Sequence, residues 1–273
     1  MTRLTFMAGI ATSMPHQSVR SGYAPYRRMT APLTVFCDFD GPIVNVSERY
    51  YNTYLMGLAE VQAAYAAQGT MLPIQALSKG QFWRMKQERT PDPEIAMRSG
   101  LQGEQIDYFL HRVSEIVNQS NLLHQDSLQP GVRHALSLLH NQGVRLILVT
   151  LRQQKQASDW LESNGLAHLF SRICGTSDDS FAYANLAQHK TELLAAVVSE
   201  CSWQNPYAIG SSAWMVGDTE ADVLAGQAAG IPTIALTCGI RSQAYLQRYQ
   251  PTRMYSNLIA AVYDLLYVEQ RSI

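Results

Sequence analysis

Closely spaced cysteines are missing from this sequence. Only four occur among its 273 residues, and no two are three positions apart: Cys37, Cys174, Cys201 and Cys238. Zinc sites and redox dithiols usually use pairs with two residues between them. The sequence therefore predicts neither, and favours reduced, buried thiols in a reducing compartment, with a cytoplasmic location.

Long apolar runs and an excess of basic residues are also missing. No run approaches the ~20 apolar residues that a membrane-spanning helix needs. The 21 basic and 22 acidic side chains give a net charge of −1, whereas nucleic-acid binding rests on a clustered basic excess. We predict neither a membrane nor a nucleic acid as a partner. With 47% apolar residues, the chain is long enough to bury a full core.

Acidic residues are absent from the first 37 positions, which do contain four arginines, Arg3, Arg20, Arg27 and Arg28. This composition resembles a transit peptide, but no amphipathic helix or cleavage pattern accompanies it. A disordered tail and a true start at Met29 are the alternatives. We predict that residues 1–30 are a disordered segment or an extension outside the fold.

Five short apolar runs predict buried strands, at residues 33–37, 145–150, 171–175, 213–217 and 232–236. Helical stretches are predicted between them, at about 132–139, 153–164, 188–200 and 219–229. Strands that alternate with helices form a parallel sheet covered on both faces. Ligands of such sheets bind at the carboxyl ends of the strands.

Residues 48 to about 128 interrupt this alternation with helical patterns alone. Ser47 is placed to cap a helix whose apolar side chains follow helical spacing, namely Tyr50, Tyr54, Leu58, Val61 and Tyr65. A second helical pattern covers 102–117. We predict a smaller helical domain over residues 47–128, inserted in an α/β core made of 31–46 and 129–273, above the strand ends.

Two acidic pairs follow predicted strands. Asp38 and Asp40 flank Phe39 after the first strand, and such paired acids favour a cation or a shared proton. An Asp-Gly hairpin turn is the alternative, but a helical pattern follows rather than a strand. After the fourth strand, a helix capping box explains the presence of Thr219 and, in part, that of Asp222. It does not explain Asp218, which precedes the cap. Mg²⁺ prefers oxygen ligands of this kind.

Thr150 and Lys190 are weaker signals by themselves. A threonine at the end of a strand is ordinarily a β-branched filler or a helix cap. A single helical lysine is ordinarily a solvated surface residue. Between Thr150 and Asp218, however, the sequence has only two lysines, Lys155 and Lys190. If a site needs an ammonium group from this stretch, one of these two must supply it.

These features resemble, in order, the four motifs of the haloacid dehalogenase-like superfamily: Asp-Phe-Asp-Gly-Pro-Ile-Val at 38–44, Thr150, Lys190 and Gly-Asp-Thr-Glu-Ala-Asp at 217–222. The resemblance covers about residues 33–240 and implies a Rossmann-like parallel sheet core. The insert resembles the cap of phosphoglycolate phosphatase-like and β-phosphoglucomutase-like members. Pro42 replaces the usual Thr, and no Pro follows Lys190.

The resemblance also implies a mechanism. Asp38 would form an aspartyl-phosphate, Asp40 would protonate the leaving alcohol, and Thr150 and Lys190 would bind phosphoryl oxygens. Mg²⁺ would be held by Asp38, the backbone carbonyl of Asp40, and Asp218, with Asp222 in support. Dehalogenases of this superfamily lack the carboxylate at the position of Asp40, so its presence favours phosphoryl chemistry. The residues that would take these roles are Asp38, Asp40, Thr150, Lys190, Asp218 and Asp222.

The substrate predicted by this resemblance is a small phosphorylated metabolite. Candidates for its recognition are Arg49 and Arg152, near the first two motifs, and Lys86, in the basic segment 81–89. An amphipathic helix that buries Phe82 and Met85 and solvates its basic face is the favoured alternative for that segment. For the whole chain, the alternatives are a sugar phosphomutase and a non-catalytic binding protein.

Overall fold

The computed structural model describes residues 33–178, 180–204 and 213–267. The predicted extension, residues 1–30, lies outside these ranges. None of the helices within them is both long and apolar enough to cross a lipid bilayer.

The strands form one large sheet and one short ladder. In chain order they are β1 Thr34–Cys37, β2 Val44–Asn45, β3 Ser127–Leu128, β4 Arg145–Gln153, β5 Arg172–Thr176, β6 Ala213–Gly217, β7 Thr233–Leu236 and β8 Arg253–Tyr255. The large sheet has the order β5-β4-β1-β6-β7-β8, and every neighbouring pair in it is parallel. The predicted parallel α/β sheet is confirmed, with β1 near its centre.

The described part of the chain also forms helices. They are α1 Ser47–Ala66, α2 Lys79–Gln87, α3 Asp92–Arg98, α4 Glu104–Ile116, α5 Ser120–Leu123, α6 Val132–Asn141, α7 Gln154–Ser163, α8 Ser180–Ala184, α9 Ala187–Gln204, α10 Glu220–Ala228, α11 Gln243–Gln247 and α12 Leu258–Tyr267. Alternate strand residues point to opposite faces. Val35 and Cys37 therefore pack with α6, α7 and α12, while Phe36 and Ile147 pack with α9 and α10. Both faces of the sheet are covered.

The first five helices lie between β2 and β3, and four of them, α1 to α4, share an apolar cluster. The predicted spacing is confirmed in α1, where Tyr50, Tyr54, Leu58 and Val61 are buried in this cluster and Tyr65 packs against its edge. The antiparallel pair β2–β3 brings the two ends of the helical segment together. The division into a core and a separate domain at 47–128 stays a prediction.

The strand predicted to end at Thr150 is three residues longer than expected. β4 continues to Gln153 with a shift in its register against β5 after Val149. Leu151 and Arg152 are consequently buried strand residues, and Gln153, the predicted start of the next helix, is the last residue of the strand. The cysteines are free, as predicted, and three are buried, but Cys238 is only half-buried.

Candidate functional site

The predicted acids meet at the carboxyl edge of the sheet. Asp38 follows β1 and Asp218 follows the neighbouring β6, and the Asp38 N–H donates to the Val216 carbonyl at 2.9 Å, which joins the ends of these two strands. Gly41 adopts φ +96°, and a Cβ built there would lie 2.1 Å from Asp218 Cγ. Only glycine allows this approach, since other residues lack both the space and the backbone freedom.

Three carboxylates cluster around one lysine. Asp38, Asp218 and Asp222 are buried, and each offers an oxygen within 4.8 Å of the others. The ammonium of Lys190 lies 2.7 Å from Asp38 Oδ1 and 2.9 Å from Asp222 Oδ1. Burial lowers the pKa of Lys190, but Asp222 and Asp38 outweigh burial and raise it. Lys190 is therefore a buried cation of the site, not a solvated surface residue.

The single lysine does not balance this charge. Burial, opposed by Lys190 and reinforced by Asp222, raises the pKa of Asp38 to about 7. Burial and the nearby Asp222 and Asp38 also raise the pKa of Asp218 well above its ordinary value. Buried like charges at such distances favour a bound cation or a retained proton.

A hard divalent cation fits this cluster. Asp218 Oδ2 accepts the Ile240 N–H at 2.6 Å, whereas Asp218 Oδ1 is buried without a hydrogen-bond partner. An orphaned carboxylate oxygen beside a second carboxylate is the ligand type that Mg²⁺ takes. Asp222 differs, because its Oδ2 accepts the N–H and O–H of Thr219 in the predicted capping box.

The carboxylate of Asp40 lies apart from this cluster, among arginines. Arg152 Nη2 lies 2.6 Å from Asp40 Oδ1, and Arg49 Nη2 lies 3.4 Å from Asp40 Oδ2. The cluster of buried carboxylates thus contains Asp38, Asp218 and Asp222 but not the side chain of Asp40, and the predicted contact of the Asp40 backbone carbonyl with a metal ion stays a prediction.

Asp40 and Thr150 line the same cleft as the acid cluster. The space free of protein atoms in and at the mouth of this cleft, part of it open to solvent, is about 540 Å³, and the wall includes Asp38, Asp40, Lys86, Thr150, Arg152, Lys190 and Asp218. Thr150 is a buried part of this wall, and its Oγ1 accepts the Arg152 N–H at 3.1 Å. The predicted site residues therefore face one cavity, apart from Arg49 and Asp222, which are not part of its wall.

The basic segment 81–89 has features of both predicted alternatives, the amphipathic helix and the cationic wall of a binding site. Phe82 and Met85 are buried in α2, as the amphipathic alternative predicts. Lys86 is buried too, rather than solvated, and its Nζ lies 2.9 Å from Asp92 Oδ1 and 4.8 Å from the centre of the Tyr183 ring. Burial lowers the pKa of Lys86. Its role in substrate recognition stays a prediction.

The model of the haloacid dehalogenase-like hydrolase family matches residues 35–236. The chain belongs to this family. The match contains all four predicted motifs and the whole helical segment between β2 and β3.

Curated relatives of this haloacid dehalogenase-like chain are phosphatases. A phosphoglycolate phosphatase from Aliivibrio fischeri is 34% identical over 134 residues, which are 45% of this chain and 50% of that protein. The pyrophosphatase PpaX from Halalkalibacterium halodurans is 26% identical over 225 residues, 80% of this chain and 89% of that protein. The chain thus spans half the length of the first relative and most of the second.

Solved structures support the haloacid dehalogenase-like fold. A haloacid dehalogenase-like family protein from Streptococcus pneumoniae aligns with a TM-score of 0.60 at 22% identity, covering 86% of this chain and 98% of that one. A subfamily IA hydrolase of the superfamily from Geobacter sulfurreducens aligns with a TM-score of 0.58 at 18% identity, covering 87% and 98%. At these identities the likeness concerns the fold.

Pro42, the departure from the first haloacid dehalogenase-like motif, fits the turn it occupies. The N–H groups of Ile43 and Val44 both donate to the Phe39 carbonyl, and the Gly41 N–H donates to the Val44 carbonyl. This turn requires no N–H at position 42, so proline is compatible with it.

Sequence reasoning missed a buried ion pair beside the cleft of this haloacid dehalogenase-like chain. Arg241 Nε donates to Glu220 Oε2 at 2.7 Å, and Arg241 Nη1 donates to the Lys86 carbonyl at 3.1 Å, at the end of α2. The pair therefore connects the helical segment to the sheet. Arg241 follows β7, a neighbour of β6, so an inspection of every strand's carboxyl end could have found it.

Proposed function

We propose that this chain is a magnesium-dependent phosphatase that hydrolyses a small phosphorylated metabolite in the cytoplasm through an aspartyl-phosphate intermediate. The observation that carries the proposal is the position of Asp38. It is a buried carboxylate with Lys190 on one side, Asp218 within metal-binding reach and Asp40 two residues away at the same cleft.

The metal site in this proposal uses Asp38, Asp218 and the backbone carbonyl of Asp40, with Asp222 in support. Bound there, Mg²⁺ would supply positive charge that keeps Asp38 ionised and offsets its repulsion from the phosphate. Asp222 supports the site from its fixed position at the start of α10, where the capping box and Lys190 hold both of its oxygens.

Asp38 is the nucleophile of the reaction. A carboxylate oxygen attacks phosphorus in line with the leaving oxygen, and a new O–P bond forms as the ester O–P bond breaks. Lys190 and Thr150, which face the same cavity, bind the phosphoryl oxygens. Charge stabilisation and positioning of this kind are the main contributions of a protein to phosphoryl transfer.

Asp40 is the acid and then the base. A phosphate ester leaves as an alkoxide unless it is protonated, and Asp40 gives its proton to that oxygen. In the second step Asp40 takes a proton from the water that attacks the aspartyl-phosphate, which releases phosphate and restores Asp38. Its carboxylate lies in the cleft but outside the metal cluster, as a proton donor to the leaving group requires.

The cleft and the relatives support this substrate class. Lys86 and Arg152 are cations in its wall, and a small anionic metabolite matches both their charge and the limited space. The relatives named as a phosphoglycolate phosphatase and a pyrophosphatase support a small phosphorylated substrate.

Phosphate release tests the proposed function. Purified protein is incubated with p-nitrophenyl phosphate and a panel of phosphorylated metabolites, with Mg²⁺ or with EDTA, and without any sugar bisphosphate. We expect inorganic phosphate to form with Mg²⁺ and its formation to stop in EDTA. The absence of metal-dependent release on every compound would contradict the proposal. Turnover that requires a sugar bisphosphate would indicate a phosphomutase instead.

Replacement of Asp40 separates its role from that of the nucleophile. Asp40→Asn is expected to lower kcat/KM by ~10²–10⁴ for an alkyl phosphate, the usual contribution of an acid–base group. The loss for p-nitrophenyl phosphate should be much smaller, because nitrophenolate leaves without protonation. The ratio kcat/KM reports the transfer to Asp38 and not the later hydrolysis. Equal losses on the two substrates would argue against proton donation by Asp40.

A further inference from the structure

We infer that Asp126 is a positioning residue, which holds Arg49 and Arg152 in the orientation that places the Asp40 carboxylate at the leaving group. The inference rests on the proposed function, because it concerns the acid–base group of that reaction. Asp126 does not belong to any of the four sequence motifs.

The contacts form a closed network of two arginines and two carboxylates. Arg49 Nε donates to Asp126 Oδ1 at 2.9 Å, and Arg152 Nη2 donates to Asp126 Oδ2 at 2.5 Å. On the other side, Arg152 Nε donates to Asp40 Oδ2 at 3.3 Å, in addition to the contacts of Arg152 and Arg49 with Asp40 described above. Each guanidinium therefore bridges Asp126 and Asp40.

Burial makes this network depend on all its members. The side chains of Arg49 and Arg152 are each 1% exposed and that of Asp126 is 0% exposed, whereas Asp40 is 19% exposed. Buried ions are tolerated only when they are paired and hydrogen-bonded, and removing one partner leaves an uncompensated charge. Without the charge of Asp126, two buried guanidinium groups would share the one carboxylate of Asp40.

Asp126 reaches the reaction only through the arginines. Its carboxylate is fully buried and is not part of the wall of the cleft that contains Asp38 and Asp40. Arg49 Nη1 donates to the Val117 carbonyl at 3.1 Å, so this guanidinium has protein partners on several sides. Arg152 is further fixed above the Phe39 ring, 4.9 Å from its centre. Arginines held in this way are suited to orient Asp40.

The network also connects the helical segment to the sheet. Arg49 is in the first turn of α1, Asp126 directly precedes β3, and Arg152 belongs to β4. The two ends of the segment, paired through β2 and β3, thus supply one arginine and the carboxylate that aligns both arginines. The position of Asp40 consequently depends on both ends of the helical segment.

The Asp126→Asn variant tests this role through its dependence on the leaving group. Misplacement of a catalytic group by about 1 Å can cost ~10²-fold. We expect kcat/KM to fall about 10- to 100-fold for an alkyl phosphate. For p-nitrophenyl phosphate, whose leaving group needs no proton, kcat/KM should change little. The matched control is Asp264→Asn, which removes a partner of Arg253 elsewhere in the chain; it should leave both values unchanged.

Two outcomes overturn the inference. One is an equal loss on both substrates, which is expected of a merely structural residue, and the other is no loss on either. If Asp126→Asn does not fold, the double variant Arg49→Gln/Asp126→Asn removes one charge of each sign and keeps the network balanced. It should show the same selective loss, and an unselective loss overturns the inference equally. Wild-type protein that releases no phosphate from either substrate contradicts the proposed function itself.

Discussion

The Asp38→Asn variant is expected to lose at least ~10⁴-fold in kcat and to remain folded, since loss of a covalent nucleophile elsewhere costs up to about 10⁶. An amide oxygen is too weak a nucleophile to form the phosphoryl intermediate. The measurement is phosphate release from p-nitrophenyl phosphate at saturating Mg²⁺. This substrate needs no acid, and kcat/KM measured alongside kcat reports the attack on phosphorus without the later hydrolysis.

The contacts of Asp38 explain why the fold should survive. Its Oδ1 accepts the Phe39 N–H at 2.7 Å, a bond that the asparagine carbonyl can also form. Lys190 loses one carboxylate but keeps Asp222 at 2.9 Å, and one of three crowded negative charges disappears. Thermal unfolding and circular dichroism should therefore resemble those of the wild type.

Asp159→Asn is the matched control for this experiment. Asp159 is an exposed aspartate of α7 that pairs with Lys155 on the same helix, so the variant makes the same chemical change outside the cleft. It should retain wild-type turnover. A folded Asp38→Asn protein with activity near that of the control would rule out Asp38 as the nucleophile.

The sheet could be predicted because each long strand has a local signature. The apolar runs that became β1, β4, β6 and β7 are buried on both faces, so their composition alone marks them. β8 is three half-buried residues long, and β2 and β3 have two residues each. Such short strands form because they pair with residues that are distant in the sequence, and no local sequence pattern indicates this pairing.

The same reason separates the site residues that were predicted from those that were missed. Asp38 and Asp218 directly follow recognisable strands, and the parallel sheet brings them together. Asp126 is buried against Arg49, which is 77 positions away, and no periodicity or turn marks either residue. Arg49 was predicted from its closeness to the first motif, as a substrate contact. That role stays a prediction, and the partners of Arg49 within the protein are set by tertiary packing.

Binding of Mg²⁺ is expected to have a large effect on the stability of the fold. In wild-type protein, Mg²⁺ at 100 times its dissociation constant should stabilise the fold by about 2.7 kcal/mol, or roughly 5–10 °C in Tm for a chain of this size. Asp218→Asn should abolish most of this shift, because it removes the buried carboxylate whose Oδ1 lacks a hydrogen-bond partner. Thermal unfolding across a series of magnesium concentrations measures both.

Without metal, the Asp218→Asn variant should be at least as stable as the wild type. Burial and like charges raise the pKa of Asp218 well above its ordinary value, and a carboxyl with a raised pKa costs stability at pH values above its ordinary pKa. Asparagine removes that cost and can still accept the Ile240 N–H. In EDTA at neutral pH, Asp218→Asn should therefore unfold at a temperature no lower than that of the wild type.

Asp222→Asn is the matched comparison, because Asp222 belongs to the same cluster, but its Oδ2 accepts from Thr219 and its Oδ1 lies 2.9 Å from the ammonium of Lys190. Its replacement should lower Tm in EDTA, since the capping box and the ion pair with Lys190 are weakened. It should preserve more of the magnesium-dependent shift than Asp218→Asn does. If instead Asp218→Asn retained the full shift, the metal would have to bind elsewhere, and the cluster at the carboxyl edge would be a strained arrangement of acids rather than a magnesium site.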